Sequence, residues 1–128
     1  MRQNETVSLK NLLQLRTETE KVGGRPVNFL IFSGKITSDN IFDLNSKVKA
    51  IFENGVYDCI LDISELDYIN STGIALLLTI ARTVEQNRGK MLLTKPTQFV
   101  QELFDMTDLS GRFAIAGSID AARDQFRN

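Results

Sequence analysis

"CILDISELDYINSTGIALLL", residues 59–78, decides how the rest of the chain is read. Cys59, Ile60 and Leu61 form a short continuous apolar run, the composition of a central strand covered on both faces. Further on, Ile74, Leu77, Leu78, Ala81 and Val84 recur at helical spacing, so a helix is expected over residues 72–86. An apolar strand passing into an apolar helix points to an α/β sheet. Between the two sit Asn70, Ser71 and Thr72, followed by Gly73. Sites on such sheets usually lie beyond the carboxyl ends of the strands, where this junction falls.

The junction has two readings. In the first, the small polar residues cap the helix: its first turn leaves backbone N–H groups without partners, and a Ser or Thr cap is worth about 1 kcal/mol over Ala. Gly73 then lets the chain pack closely. In the second, a hydroxyl is displayed at the positive end of a helix. A phosphate there would add about −1.5 to −2 charge without unfolding the helix. That suits a binding switch better than a catalytic nucleophile. The chain has no histidine to act as a base, and the segment lacks the G-x-S-x-G elbow.

Outward from the junction, strands and helices alternate. Residues 12–21 and 27–33 read as two strands joined in a hairpin at Gly23-Gly24, with Gly34 ending the second. "TSDNIFDLNSKVKAIFEN" reads as a helix capped by Thr37 or Ser38, with Ile41, Leu44, Val48 and Ile51/Phe52 as its core stripe and Asn54-Gly55 as its stop. "GKMLLTK" is a further strand. Pro96 opens a helix carrying Phe99, Val100, Leu103, Phe104 and Met106, "RFAIA" is a last strand, and Ser118 caps a last helix. The order β-β-α-β-α-β-α-β-α predicts a mixed, mostly parallel central sheet with an N-terminal β-hairpin and helices packed around it.

A length of 128 residues suits one domain with one core. Residues 1–10 are expected to be a flexible N-terminal segment and residues 11–128 the domain. The net charge of −1 argues against nucleic acid or an anionic membrane surface as partner. Cys59 is the only cysteine, so no internal disulfide forms. It lies in an apolar strand, where a free thiol behaves as a small hydrophobe. The N-terminus shows no secretory h-region, and the apolar runs are too short to span a bilayer, so the expected location is the cytoplasm. No nucleotide-binding fingerprint and no metal-ligand spacing is present.

"CILDISELDYINSTGIALLL" also resembles the signature of STAS domains, the anti-sigma factor antagonist family. That signature is an apolar strand, D-[LI]-S, a short turn, [DN]-S-[ST]-G and a Leu-rich helix. Asp62-Ile63-Ser64 and Asn70-Ser71-Thr72-Gly73 occupy its two fixed places, and "QELFDMTDLSGRFAI" is similar to the family's later segment. The resemblance covers about residues 12–126. It implies a single STAS domain that acts by protein–protein interaction in transcription regulation and signalling and is not an enzyme, with no catalytic residues, metal or cofactor. Its partner would be an anti-sigma factor with serine kinase activity. Binding that partner releases a sigma factor. Phosphorylation of Ser71 ends the binding, and a phosphatase restores it.

Thr72, Asn70, Gly73 and Asp62 are then support residues of the switch loop. Asn70 stands where the classical turn often has Asp, and the acidic residue common soon after Gly34 is replaced by Lys35, Ile36 and Thr37. Leu76 and Ile80 form a second apolar stripe, read either as a broad buried face or as a partly exposed partner contact beside Ser71. Asp62 has a structural reading as well, bonding the backbone of the turn that follows it. The alternatives to the switch are a non-phosphorylated STAS scaffold or transporter-associated module, and a small enzyme using carboxylates such as Asp62. The oligomeric state is left open.

Overall fold

Val27 and Phe29 alternate with Leu30 and Phe32 along one strand, and all four are buried. A strand covered on both faces belongs inside a sheet, and this one is third of six. The computed structural model describes residues 3–127. Its strands are β1 (Gln3–Leu9), β2 (Leu13–Val22), β3 (Arg25–Ile36), β4 (Cys59–Ile69), β5 (Met91–Thr94) and β6 (Ile115–Ala116). Its helices are α1 (Ile41–Phe52), α2 (Ser71–Gln86), α3 (Gln98–Met106) and α4 (Ile119–Asp124). The strands lie in chain order across the sheet. β1, β2 and β3 are antiparallel neighbours, and β3, β4, β5 and β6 run parallel. This is the mixed, mostly parallel α/β sheet that the alternation of elements predicts.

Two clusters fill the two faces. Leu30, Cys59, Leu61 and Leu93 pack with residues of α1, α2 and α3. Their strand neighbours Phe29, Ile60 and Leu92 point the other way and pack with Ala122 and Phe126 at the C-terminal helix. The parallel strands therefore all end at one rim of the sheet, and α1, α2 and α3 all start there.

One buried polar group ties the opposite rim together. Asn28 of β3, only 1% exposed, donates through Nδ2 to the carbonyl of Val56 at 2.8 Å. Its Oδ1 accepts from Thr19 Oγ1 at 2.7 Å and from Asn54 Nδ2 at 2.9 Å. The amide thus joins β2, β3 and the turn that leaves α1 at Asn54-Gly55, where Gly55 takes a φ of +79°.

The structure departs from the sequence reading at particular residues. Gln3–Leu9, within the decapeptide set apart as a flexible segment, is a strand paired along its length with β2. Gly34 does not end β3. Its φ of +113° and the register shift after it let the strand run on to Ile36, with the Lys35 N–H bonded to the Leu12 carbonyl at 2.8 Å. α1 is preceded by Asn40 rather than capped by Thr37 or Ser38. The Asn40 side chain bonds Thr37 N and the Lys35 carbonyl, and Thr37 Oγ1 accepts from Asp39 N. β4 does not stop near Asp62 but continues to Ile69, held against the lengthened β3. Pro96 lies just outside α3, whose cap is Thr97. Ser118 caps α4 as expected, accepting from Ala121 N at 3.0 Å.

Replacing Asn28 by Ala removes three partners at once, and the Val56 carbonyl loses its side-chain donor while Thr19 and Asn54 lose their shared acceptor. A loss of roughly 2–3 kcal/mol is expected. Urea denaturation will show it as a lower midpoint at unchanged slope.

Candidate functional site

The junction that opens the sequence reading lies at the rim where the parallel strands end. Ile69 closes β4, Asn70 is extended (φ −97°, ψ −179°), and α2 begins at Ser71. Asn70, not Ser71 or Thr72, is the cap. Its Oδ1 accepts from the Gly73 N–H and from Thr72 Oγ1, each at 2.9 Å. An acceptor of an N–H must be the oxygen of the amide, so the arrangement also fixes which way the Asn70 side chain faces. Thr72 is thereby tied to the cap. Ser71 is exposed and makes no side-chain hydrogen bond among the described residues.

Gly73 explains why the turn is so tight. A Cβ there would lie 2.5 Å from Ile69 Cγ1 and 2.9 Å from Ile36 Cγ2. Ile69 is 1% exposed and Ile36 fully buried, so neither can yield freely. The first turn of α2 is seated on the ends of β3 and β4, with the amides of Ser71 and Thr72 heading it and no acidic side chain within it. The helix end is therefore a positive dipole terminus with no compensating charge of its own.

The other candidates are placed differently. Asp62 is structural here. One of its oxygens, Oδ1, accepts from Ser64 N at 3.0 Å, Ser64 Oγ at 2.7 Å and Thr94 Oγ1 at 2.9 Å. Thr94, buried at the end of β5, accepts in turn from Ile63 N at 2.9 Å. The group pins β4 to β5 just beyond their last ladder pair, Leu61↔Leu93. Asp62 and Ile69 pair with Ile31 and Ile36, so about 16 Å of strand separates Asp62 from the junction. It does not line the Ser71 site.

Leu76 and Ile80, read as possible partner contacts, are 7% and 2% exposed. They line a narrow groove with Val48 and Phe52 because α1 lies alongside α2. Ile74, Leu77 and Val84 face the same cluster, so the broad buried face is the arrangement found.

What the sequence reading missed is aromatic. Tyr68 (38% exposed) of β4 stacks on Phe99 (46% exposed) of α3, ring centroids 5.4 Å apart. Phe42 in the first turn of α1 is 79% exposed. All three lie at the rim that carries Ser71. The sequence signal for Phe42 was its place off the Leu44/Val48 stripe. Phe99 is one of five apolar residues that the sequence puts on its helix, of which only Val100 and Phe104 are buried.

Among the described residues no cluster of His, Cys, Asp or Glu is arranged to hold a metal ion, and no helix is long and apolar enough to cross a membrane. Cys59 is buried, and that burial, with the Asp58 charge adding to it, pushes its thiol well above the usual range.

Comparison with known proteins gives a consistent picture. The sequence model of the STAS domain matches residues 17–122. BtrV of Bordetella bronchiseptica, named as an anti-sigma factor antagonist, is 27% identical over 113 residues, which cover 88% of this chain and 96% of BtrV. An anti-sigma factor antagonist from Mycobacterium paratuberculosis superposes with a TM-score of 0.79 at 16% identity, covering 95% of this chain and all of that one. SpoIIAA of Bacillus, in its phosphorylated form, has a TM-score of 0.63 at 23% identity, covering 87% of this chain and 99% of its own. At these identities the solved structures establish the fold.

Three substitutions separate the roles at the junction. Gly73→Ala is expected to lose roughly 1–3 kcal/mol by overpacking, and Asn70→Ala about 1 kcal/mol as a lost cap. Ser71→Ala, which breaks no bond, should stay within about 0.5 kcal/mol of the parent. Chemical denaturation of the three proteins side by side gives the ranking.

Proposed function

We propose, because this chain belongs to the STAS domain family, that it works as an anti-sigma factor antagonist switched by phosphorylation of Ser71. The observation that carries the reading is the division of labour at the start of α2. Asn70 holds the helix and engages Thr72, while Ser71 is exposed and its hydroxyl makes no hydrogen bond among the described residues. A phosphate added at Ser71 breaks no contact of the fold. It meets the uncompensated positive end of a helix, where an anion is worth about 0.3–1 kcal/mol. What changes is the surface: about two negative charges appear beside exposed aromatic rings.

The partner is an anti-sigma factor with serine kinase activity. Unmodified, this chain binds it and frees the sigma factor, so the effect on transcription is indirect. Phosphorylated, it lets go, and a phosphatase resets it. The domain itself is a binding protein and not an enzyme. It has no histidine, and no base is bonded to the Ser71 hydroxyl among the described residues. The setting for such a cycle is the cytoplasm. Leu76 and Ile80 are buried beneath α1, so the contact role falls to Tyr68, Phe99 and Phe42. Charging Ser71 among them places a strongly hydrated group in an interface that gains from excluding water.

Incubation with ATP and a candidate anti-sigma kinase of the same organism, followed by mass spectrometry, should place one phosphate on Ser71 and none on the Ser71→Ala variant. Ser71→Asp should bind that partner at least about tenfold more weakly, a difference of roughly 1.4 kcal/mol. Phe42→Ala, at a ring 79% exposed, should weaken binding by a similar factor while leaving the urea midpoint nearly unchanged. An unmodified Ser71, together with full binding by Ser71→Asp, would instead indicate a non-switching scaffold.

A further inference from the structure

We infer that β1 is a dimerisation strand, pairing antiparallel with β1 of a second copy about a two-fold axis through Thr6. The sheet has two edges, and they are treated differently. β6, at one edge, is only two residues long, a common way to blunt an edge. β1, at the other, has seven residues, Gln3–Leu9, in unbroken register with β2 from Gln3↔Thr19 to Leu9↔Leu13. It contains no proline, no lysine and no bulge, and its centre is the β-branched pair Thr6-Val7. Its outer backbone groups have no strand partner among the described residues. An edge this long and regular is a template for another strand.

The chain's own sequence selects the partner and the register. Two copies of one strand side by side and antiparallel are related by an axis through a single residue. Centring on Glu5 sets two carboxylates directly opposite each other, which is unfavourable. Centring on Val7 leaves the first residues of β1 unpaired. Centring on Thr6 uses the full Gln3–Leu9 length and sets Glu5 opposite Val7 and Asn4 opposite Ser8, with no like charges facing.

The side-chain surroundings agree. Glu5 and Val7 both line a groove of about 470 Å³ between β1, β2 and α1, with Leu15, Ile51 and Lys47. Lys47 has no ion pair among the described residues. Glu5 of one copy, facing Val7 of the other, would bring a carboxylate to the groove that Lys47 borders. β1 is three strands from β4, so this inference stands or falls apart from the Ser71 reading.

Sedimentation velocity of the full chain over a wide concentration range tests it. The expected result is a reversible species of twice the mass of one chain, weakened roughly tenfold or more by Thr6→Pro, which removes a ladder donor. Because Thr6→Pro also risks the fold, cysteine scanning gives a second readout. Opposed residues bring Cα atoms to about 4.5–5.5 Å, within disulfide reach. On mild oxidation Thr6→Cys should form a linked dimer alone. Asn4→Cys and Ser8→Cys should link only when the two proteins are mixed. Buried Cys59 stays out of the reaction. A chain that remains monomeric throughout overturns the inference. So does a dimer in which Thr6→Cys links no faster than Asn4→Cys alone.

Discussion

A side chain on residue 73 would lie 2.5 Å from Ile69 and 2.9 Å from Ile36, so α2 meets the ends of β3 and β4 as closely as a backbone can. Much of the rim that carries Ser71 depends on that approach. It shortens the β4–α2 connection to Asn70 alone, which must then cap the helix with its own side chain. It fixes the first turn relative to the sheet, so that the hydroxyl after the cap faces outward. It also requires β3 to reach Ile36, which the positive φ of Gly34 and the bond from Lys35 to Leu12 make possible. A Cβ on Gly34 would fall 2.2 Å from the Leu12 carbonyl oxygen, so a second close approach supports the first.

Two of the polar side chains buried in this fold, Thr94 and Asn28, act as fasteners where the ladders run out. Thr94 accepts the Ile63 N–H at the point where the short β5 can no longer do so through its backbone, and Asp62 holds Thr94 in place. Asn28 does the same at the opposite rim for the turn after α1. Both belong to the physics of satisfying backbone groups at element ends, and neither is bonded to Ser71.

How much of this was legible in the sequence varied with the range of the interaction that decides each feature. The alternation of elements, the parallel sheet and the Ser118 cap follow from local pattern, and the structure agrees. The failures are where a distant segment wins. Gly34 reads as a strand breaker, but the Leu12 carbonyl offers the next amide a partner and the strand continues. β1 is polar on one face and has a weak pattern of its own; it is a strand because β2 presents an open edge to it. Leu76 and Ile80 form a stripe whose burial depends on where α1 lies. Asp62 belongs to the same signature as the turn eight residues on at Asn70, yet an extended β4 carries it far from Ser71. The junction itself was legible in composition but not in assignment. Three adjacent residues were all competent caps, and only the backbone at Asn70 shows which one is used.

Placing the cap on Asn70 has a consequence for how such domains diverge. Position 71 is exposed and its side chain makes no hydrogen bond among the described residues, so the fold itself asks little of the residue there. A lineage can lose the hydroxyl in one mutational step and keep a sound binding domain, or regain it as easily. Folding therefore exerts almost no purifying pressure at this site. Where a serine persists at the first position of this helix across related chains, its persistence is a record of use.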